Sequence, residues 1–331
     1  MNVTVIGAGS WGTALAVSLA SNHHITLWAR DAAQINEIQL SRQNQRYLPG
    51  ISLPEEVELC ADFSASLMTA DLAIVAVPTS ALRSTLQQLS TLQCSLGLVW
   101  ACKGFEAKTS LLPHQIVASV LPDGYKCGVL SGPSFAQEVA RGLPTALTLA
   151  SDDEKFARST AQALHHGRLR VYSSRDVIGV EVGGAVKNVM AIAAGISDGL
   201  GLGQNARAAL ITRGLAEITR LGLKLGGCSE TLSGLSGLGD LILTCTGDLS
   251  RNRKVGMLLA KQQSLSDILD KLGHVAEGVY TVREVYQLAQ KFDVAMPICD
   301  AVYRILYEQM SATDMVAELL SRAPNLEFNS E

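Results

Sequence analysis

The chain has 331 residues and a net charge of −4, from 27 Lys and Arg against 31 Asp and Glu. Hydrophobic residues make up 47% and charged residues 18%, which excludes wholesale disorder and suffices for about two domains with buried cores. With a pI of about 5.9 there is no global basic surface for nucleic acid, so any site for a phosphorylated ligand must be basic locally.

In chain order, residues 3–6 form a buried apolar strand and residues 10–21 read as a helix. Residues 24–29 (HITLWA), 71–77 (DLAIVAV) and 96–101 (LGLVWA) are further strands, with 127–130, 145–150 and 169–172 as additional candidates. Continuous apolar strands alternating with helices predict an α/β domain whose mostly parallel sheet is covered on both faces. After about residue 175 the strand-like runs stop. Helices are expected over 206–223, with Ile211, Leu215, Ile218 and Gly222 on one face, over 277–291, with Val279, Val282, Tyr286 and Ala289 on one face, and over 301–310. This pattern places an α/β domain over 1–175 and an all-helical domain over 176–331, with a frayed end at 323–331.

The seven cysteines, Cys60, Cys94, Cys102, Cys127, Cys228, Cys245 and Cys299, form no C-x-x-C pair, and their number is odd. That usage suits free thiols in a reducing compartment, and cytoplasmic residence is expected. Neither His23-His24 nor His165-His166 has the i, i+4 spacing of a helical metal site, and no metal is expected. No apolar run approaches the ~20 residues of a membrane span. The small apolar stretch 14–20 has no basic residue before it and follows three glycines, which argues against a signal peptide.

Gly7-Ala8-Gly9-Ser10-Trp11-Gly12 is a G-x-G-x-x-G that follows a strand and opens a helix, the context a dinucleotide fingerprint requires. Gly7 permits the tight turn, Gly9 lets a pyrophosphate approach the backbone, and Gly12 lets the helix pack on the strand. The helix N-terminal amides then face the phosphates. Arg30 stands 18 residues past the last glycine, where NAD-selective folds carry an acid; an arginine suits the 2′-phosphate of NADP(H). Asp31 follows at once and points to NAD(H), so NADP(H) is favoured and NAD(H) stays open.

Four further segments are polar islands in apolar surroundings. Residues 100–106 (WACKGFE) put Lys103 just past a strand's C-terminal end, the edge where ligands bind in open α/β sheets. Residues 131–136 (SGPSFA) are another strand-to-helix turn with amides free to meet an anion. Lys187 lies inside an apolar helical stretch, where a lysine is rarely buried unless it is paired or functional. Asp240 is a lone carboxylate between apolar runs, and Ser250 is a predicted N-cap for a helix to about residue 260 whose free amides and Arg251 would form a phosphate site.

With these residues in view, the whole chain resembles the bacterial-type NAD(P)-dependent glycerol-3-phosphate dehydrogenases. The resemblance rests on GAGSWGTALA from Gly7, ACKGFE from Ala101, SGPSFA from Ser131, VGGAVKNVMAIAAGISDGLGLGQNARAALITRG from Val182, LSGLGDLILTC ending at Cys245, SRNR from Ser250 and VAEGVYT from Val275. It implies a Rossmann-like domain followed by a helical domain. It also implies that Ser10, Trp11, Arg30, Tyr47, Lys103, Ala136, Arg251, Val275 and Glu277 meet the cofactor. Lys103, Gly132, Ser134, Lys187, Asp240, Ser250, Arg251 and Asn252 would hold the substrate. The implied reaction interconverts dihydroxyacetone phosphate and sn-glycerol 3-phosphate, supplying phospholipid synthesis, with Lys187 as proton donor or acceptor, assisted by Lys103 and oriented by Asp240.

Two other readings compete. A 3-hydroxyacid or 6-phosphogluconate-type dehydrogenase shares the domain plan and a catalytic lysine, but that group resembles G-G-x-x-x-K-x-x-x-N. Here Asn188 is adjacent to Lys187 and position 191 is Ala. A non-catalytic NADP-binding protein would keep the glycine loop without needing Lys103, Lys187, Asp240 and Arg251 together. An apolar face in the helical domain is a candidate homodimer surface.

Overall fold

The computed structural model describes residues 1–92, 95–272 and 276–322. Cys94, Val275 and the 323–331 end therefore lie outside the described residues. Eight strands form one sheet: β1 (Asn2–Ile6), β2 (His24–Trp28), β3 (Val57–Cys60), β4 (Leu72–Val75), β5 (Gly97–Trp100), β6 (Cys127–Ser131), β7 (Thr145–Ala150) and β8 (Leu169–Ser174). Their order is β3-β2-β1-β4-β5-β6-β7-β8, and only the β6–β7 pair is antiparallel. The strand order reverses beside β1: β2 and β3 leave to one side, β4 and β5 to the other. A crevice opens at such a point, outside the carboxyl ends of β1 and β4.

The sheet is mostly parallel because its strands are apolar on both faces. Ile74 and Val99 join one core with Val3, Val5 and Leu27. Their chain neighbours Ala73, Val75, Leu98 and Trp100 join the opposite core with Ile6 and Leu82. That period-two division of uninterrupted apolar runs is what a sheet sandwiched between helix layers demands. β3 carries no such signal. Its four residues, VELC, follow Glu55 and Glu56 and pair only with β2 at the sheet edge, so sequence periodicity passes over it.

The second half is helical and built around the Val177–Gly199 helix, which Asp176 caps by accepting from the Gly179 amide at 2.8 Å. This helix is long and apolar enough to cross a membrane, but 94% of its most apolar window is buried inside the protein. The Gly203–Lys224, Asp240–Thr246, Arg251–Leu259, Glu277–Phe292 and Pro297–Tyr307 helices pack around it. Glycines set the closest crossing. A Cβ at Gly195 would lie 2.0 Å from the Arg253 carbonyl oxygen, and one at Gly256 would lie 2.0 Å from that of Ile192. The start of the Arg251–Leu259 helix is thereby drawn onto the helix that carries Lys187.

One helical expectation is filled out by the structure and one needs correction. In the Gly203–Lys224 helix Ile218 and Gly222 are buried and Ile211 and Leu215 are half-buried against the same core, as the shared face implies, and the inward line also includes Gly214, Glu217 and Leu221. Glu217 is tolerated there because its carboxylate accepts from the Ile298 and Cys299 amides at 2.7 and 3.1 Å, free donors at the next helix start. That helix begins at Pro297 and ends at Tyr307 rather than spanning 301–310. Proline is accommodated in a first turn, where its missing N–H has no helical partner.

Candidate active site

Lys187 sits near the middle of the buried Val177–Gly199 helix and is 7% exposed. Its Nζ donates to Asp240 Oδ1 and, at 2.9 Å, to Thr244 Oγ1. Asp240 begins the Asp240–Thr246 helix and is 1% exposed. Its second oxygen, Oδ2, accepts from Lys103 Nζ at 2.6 Å. Lys103, just beyond β5, also donates to the Gly132 carbonyl at 3.3 Å, and Gly132 follows β6. One buried carboxylate thus holds two ammonium groups from two halves of the chain, 137 and 53 residues away. Burial and the neighbouring Lys103 charge push the Lys187 ammonium down to about 8, against the opposing pull of Asp240.

A five-residue π-helical turn, Leu235–Gly239, leads into Asp240 and lies against the lysine helix: a Cβ at Gly183 would come within 2.6 Å of the Ser236 carbonyl oxygen. π-helical turns recur at functional sites because the extra residue re-aims the side chains that follow. Ser134 donates to the Gly132 carbonyl at 3.1 Å. Phe135 abuts Gly247, which brings the 131–135 turn against the segment leading to Ser250. Ser250 caps the Arg251–Leu259 helix, accepting from the Arg253 amide at 3.2 Å. Arg253 is engaged with Asp198 at 2.7 Å and Asp248 at 3.0 Å, whereas the Arg251 side chain is exposed. Asn252 is buried and bridges two elements, donating to Asn188 Oδ1 at 2.9 Å and accepting from the Gly278 amide at 3.1 Å. Glu277 heads the Glu277–Phe292 helix; burial raises its carboxyl, and Arg251, Lys103 and Lys187 pull it back.

The glycine loop lies between β1 and the Ser10–Leu19 helix at the same sheet edge. Gly7 has φ +115°, a conformation L side chains rarely adopt, and a Cβ at Gly12 would lie 1.9 Å from the Gly7 carbonyl oxygen. Gly9, the helix N-cap, differs: a Cβ there would meet nothing within 4 Å, and no side chain caps the amides that follow. The loop is closed where it packs on the protein and open where a pyrophosphate would approach, so it fits a dinucleotide. Trp11, Leu48 and Ala136 meet in one small apolar cluster, which brings Tyr47's neighbourhood and the 136–140 helix to the loop. Arg30 is exposed at the end of β2. Asp31 is committed as the N-cap of the Ala32–Ser41 helix, accepting from the Ala33 and Gln34 amides.

Lys103, Gly132, Lys187 and Asp240 are therefore in contact, and Ser134 joins them through Gly132. Ser250, Asn252 and Glu277 adjoin them through the helix starts. Ser10, Trp11, Gly12 and Ala136 cluster at the glycine loop, and Val275 lies outside the described residues. Sequence reasoning missed Thr244, whose hydroxyl meets Lys187 from one turn beyond Asp240. It also missed Asn44 and Gln34, which both donate to the Ala8 carbonyl, at 2.9 and 2.7 Å, and brace the loop. A polar residue i+4 from a lone carboxylate was the available signal for Thr244. Nothing local marks Asn44.

The fold and this site define an oxidoreductase that uses a nicotinamide dinucleotide. Residues 2–157 match the family described as NAD-dependent glycerol-3-phosphate dehydrogenase N-terminus, and residues 176–317 match the corresponding C-terminus. The glycerol-3-phosphate dehydrogenase [NAD(P)+] of Nitrosomonas eutropha is 59% identical over 327 residues, covering 99% of both chains. That of Aromatoleum aromaticum is 56% identical over 328 residues, covering 99% of this chain and all of its own. The crystal structure of glycerol-3-phosphate dehydrogenase from Coxiella burnetii superposes with a TM-score of 0.93 at 44% identity, covering 97% of this chain and 99% of that one. The chain belongs to the NAD-dependent glycerol-3-phosphate dehydrogenase family.

Proposed function

We propose that the chain interconverts dihydroxyacetone phosphate and sn-glycerol 3-phosphate, with Lys187 giving and taking the proton on the reacting oxygen. The observation that carries this reading is the Lys103–Asp240–Lys187 array, two lysines on one buried carboxylate, at the same sheet edge as an open dinucleotide cradle. The bound nicotinamide supplies hydride to the carbonyl carbon in reduction and takes it back in oxidation. As the carbonyl oxygen gains charge, two ammonium groups in a water-poor site stabilise it. A Lys187 ammonium near 8 is protonated at neutral pH and close enough to its titration range to release its proton. Asp240 keeps both lysines in place against their mutual repulsion, and Thr244 gives the Lys187 amine a second acceptor. For oxidation the same amine starts neutral and accepts the hydroxyl proton.

Gly132, Ser134, Ser250, Arg251 and Asn252 are assigned to the substrate, Arg251 with the helix start meeting its phosphate. Gly7, Gly9, Ser10, Trp11, Gly12, Arg30, Tyr47, Lys103, Ala136, Arg251 and Glu277 are assigned to the cofactor, and Val275 completes that set by resemblance. Because Asp31 is engaged as a cap, Arg30 is left to favour NADP(H) over NAD(H). We place the dinucleotide-binding domain at 1–175 and the substrate domain at 176–331, in a cytoplasmic homodimer feeding glycerophospholipid synthesis.

The test is loss of reduced-nicotinamide absorbance, with NADPH or NADH, with and without dihydroxyacetone phosphate. Loss that requires the ketone confirms the reaction. A folded protein that binds NADPH yet turns over neither cofactor contradicts it and turns attention to hydroxyacid substrates.

A further inference from the structure

We propose that Glu284 is a positioning residue for Lys103, fixing the strained loop on which that lysine rides against the helix that begins at Glu277. The proposal rests on the assignment of Lys103 to the reacting site. Glu284 is 3% exposed, and both its oxygens go to one short turn: Oε1 accepts from the Lys108 amide at 3.3 Å, and Oε2 accepts from the Ser110 hydroxyl. Among the described residues no lysine or arginine pairs with it. A buried carboxylate without a cation costs free energy and depends wholly on such hydrogen bonds.

The turn it holds is under strain. Lys108 and Ser110 have φ of +72° and +54°, a region that non-glycine residues occupy only when their surroundings hold them there. The same helix touches the loop at a second point. Thr281 Oγ1 stands 3.0 Å from where a Cβ on Gly104 would be, next to Lys103. Glu277, Thr281 and Glu284 are spaced i, i+4, i+7, so one helix face carries all three. From the sheet domain's Thr79–Ser90 helix, Thr79 donates to the Lys103 carbonyl at 3.0 Å, and Arg83 grips Glu106 through two bonds of 2.7 and 2.8 Å. The loop is thus clamped between the sheet and the helical half.

This clamp bears on chemistry because Lys103 is the one ammonium of the array that comes from the sheet side, and Asp240 receives it across 137 residues. The Glu284 contacts span 174 and 176 residues and set the register of that approach. If the turn is released, Lys103 moves away from Asp240 and Lys187 loses a neighbouring positive charge. The groups facing Lys187 are then Asp240 by contact, with Glu277 and Cys245 within electrostatic reach. Its ammonium rises as a result.

The experiment compares Glu284→Ala, Glu284→Gln, Lys103→Ala and the double variant Glu284→Ala/Lys103→Ala, with the full chain and both cofactors present. Glu284→Ala is expected to lower kcat for ketone reduction about 10-fold with little change in KM for NADPH, the cost of a misplaced catalytic group. The alkaline limb of its pH profile should move to higher pH, a shift that simple loss of stability would not produce. Glu284→Gln, which keeps an acceptor for the Lys108 amide, should recover most of the rate. In the Lys103→Ala background the Glu284 change should cost less than about 2-fold, because residues acting as a unit are not additive. Should Glu284→Ala not fold, Ser110→Ala removes one hydroxyl and is expected to give the same non-additivity with a loss of about 3-fold. Full multiplication of the two single losses would overturn the proposal, as would a wild-type rate and pH profile in Glu284→Ala beside a slow Lys103→Ala. A Lys103→Ala enzyme as fast as wild type would instead overturn the role of Lys103 itself, and the positioning argument with it.

Discussion

The glycine loop and the lysine–aspartate array sit at one sheet edge and are built in opposite ways. The loop consists of six consecutive residues whose backbone does the work, and its specificity comes from where side chains are missing. The array draws side chains from segments as far apart as 103 and 240, and its properties come from holding one buried and one half-buried ammonium around one buried carboxylate. A local motif can be read wherever the flanking strand and helix are read. A non-local one declares itself only as isolated polar residues in apolar runs, each without a visible partner. The difference also predicts how each part fails: the loop through sterics and binding, the array through chemistry and pH.

The largest effect should come from Lys187→Ala. Removing the proposed proton donor is expected to lower kcat in both directions by about 10²–10⁴-fold, measured in a variant whose circular dichroism and NADPH binding match wild type. Asp240→Asn should follow, at about 10–100-fold, the scale of a charge-assisted hydrogen bond. It leaves two lysines facing each other without the carboxylate that pulls Lys187 upward, so the alkaline limb for reduction should fall below about 8. A limb that stayed in place would show that Asp240 does not act on Lys187.

Smaller effects separate the two uses of glycine in the loop. In Gly12→Ala the added methyl collides with the Gly7 carbonyl oxygen, and overpacking of that kind costs about 1–3 kcal/mol, read as a lower Tm. In Gly9→Ala the methyl meets no protein atom, so Tm should be unchanged while KM for NADPH and NADH rises about tenfold. Equal Tm losses in the two variants would remove the distinction. The smallest effect should be that of Arg30→Gln, which is expected to lower the NADPH-to-NADH preference in kcat/KM by about 2–5-fold, as suits an exposed ionic contact.

Legibility in the sequence follows the same division. β1, β4 and β5 and the central Val177–Gly199 helix are legible because burial on all sides leaves predominantly apolar runs. β3 is not, since VELC at a sheet edge buries little, and the antiparallel turn of β6 onto β7 leaves no periodic mark. Lys187 and Asp240 stood out as charges in apolar stretches. Glu181 occupies the same kind of position without declaring its role. It is 4% exposed and accepts from Trp100 Nε1 at 2.8 Å and from the His114 amide at 2.9 Å, tying the lysine helix to the sheet domain. Glu217 and Glu284 repeat the lesson: a carboxylate inside a helix can be serving backbone amides on an element 70 or more residues away, which no local pattern can supply.

The most direct test of the central claim is the pH dependence of kcat for dihydroxyacetone phosphate reduction, measured side by side in the wild type and in Lys187→Ala. On the proposed assignment reduction uses the Lys187 ammonium, so the wild-type rate should fall as pH rises through about 8, while oxidation of sn-glycerol 3-phosphate should rise over the same range. In Lys187→Ala that limb should vanish together with most of the rate. A variant that keeps both the wild-type rate and the limb near 8 would contradict the assignment of the proton to Lys187.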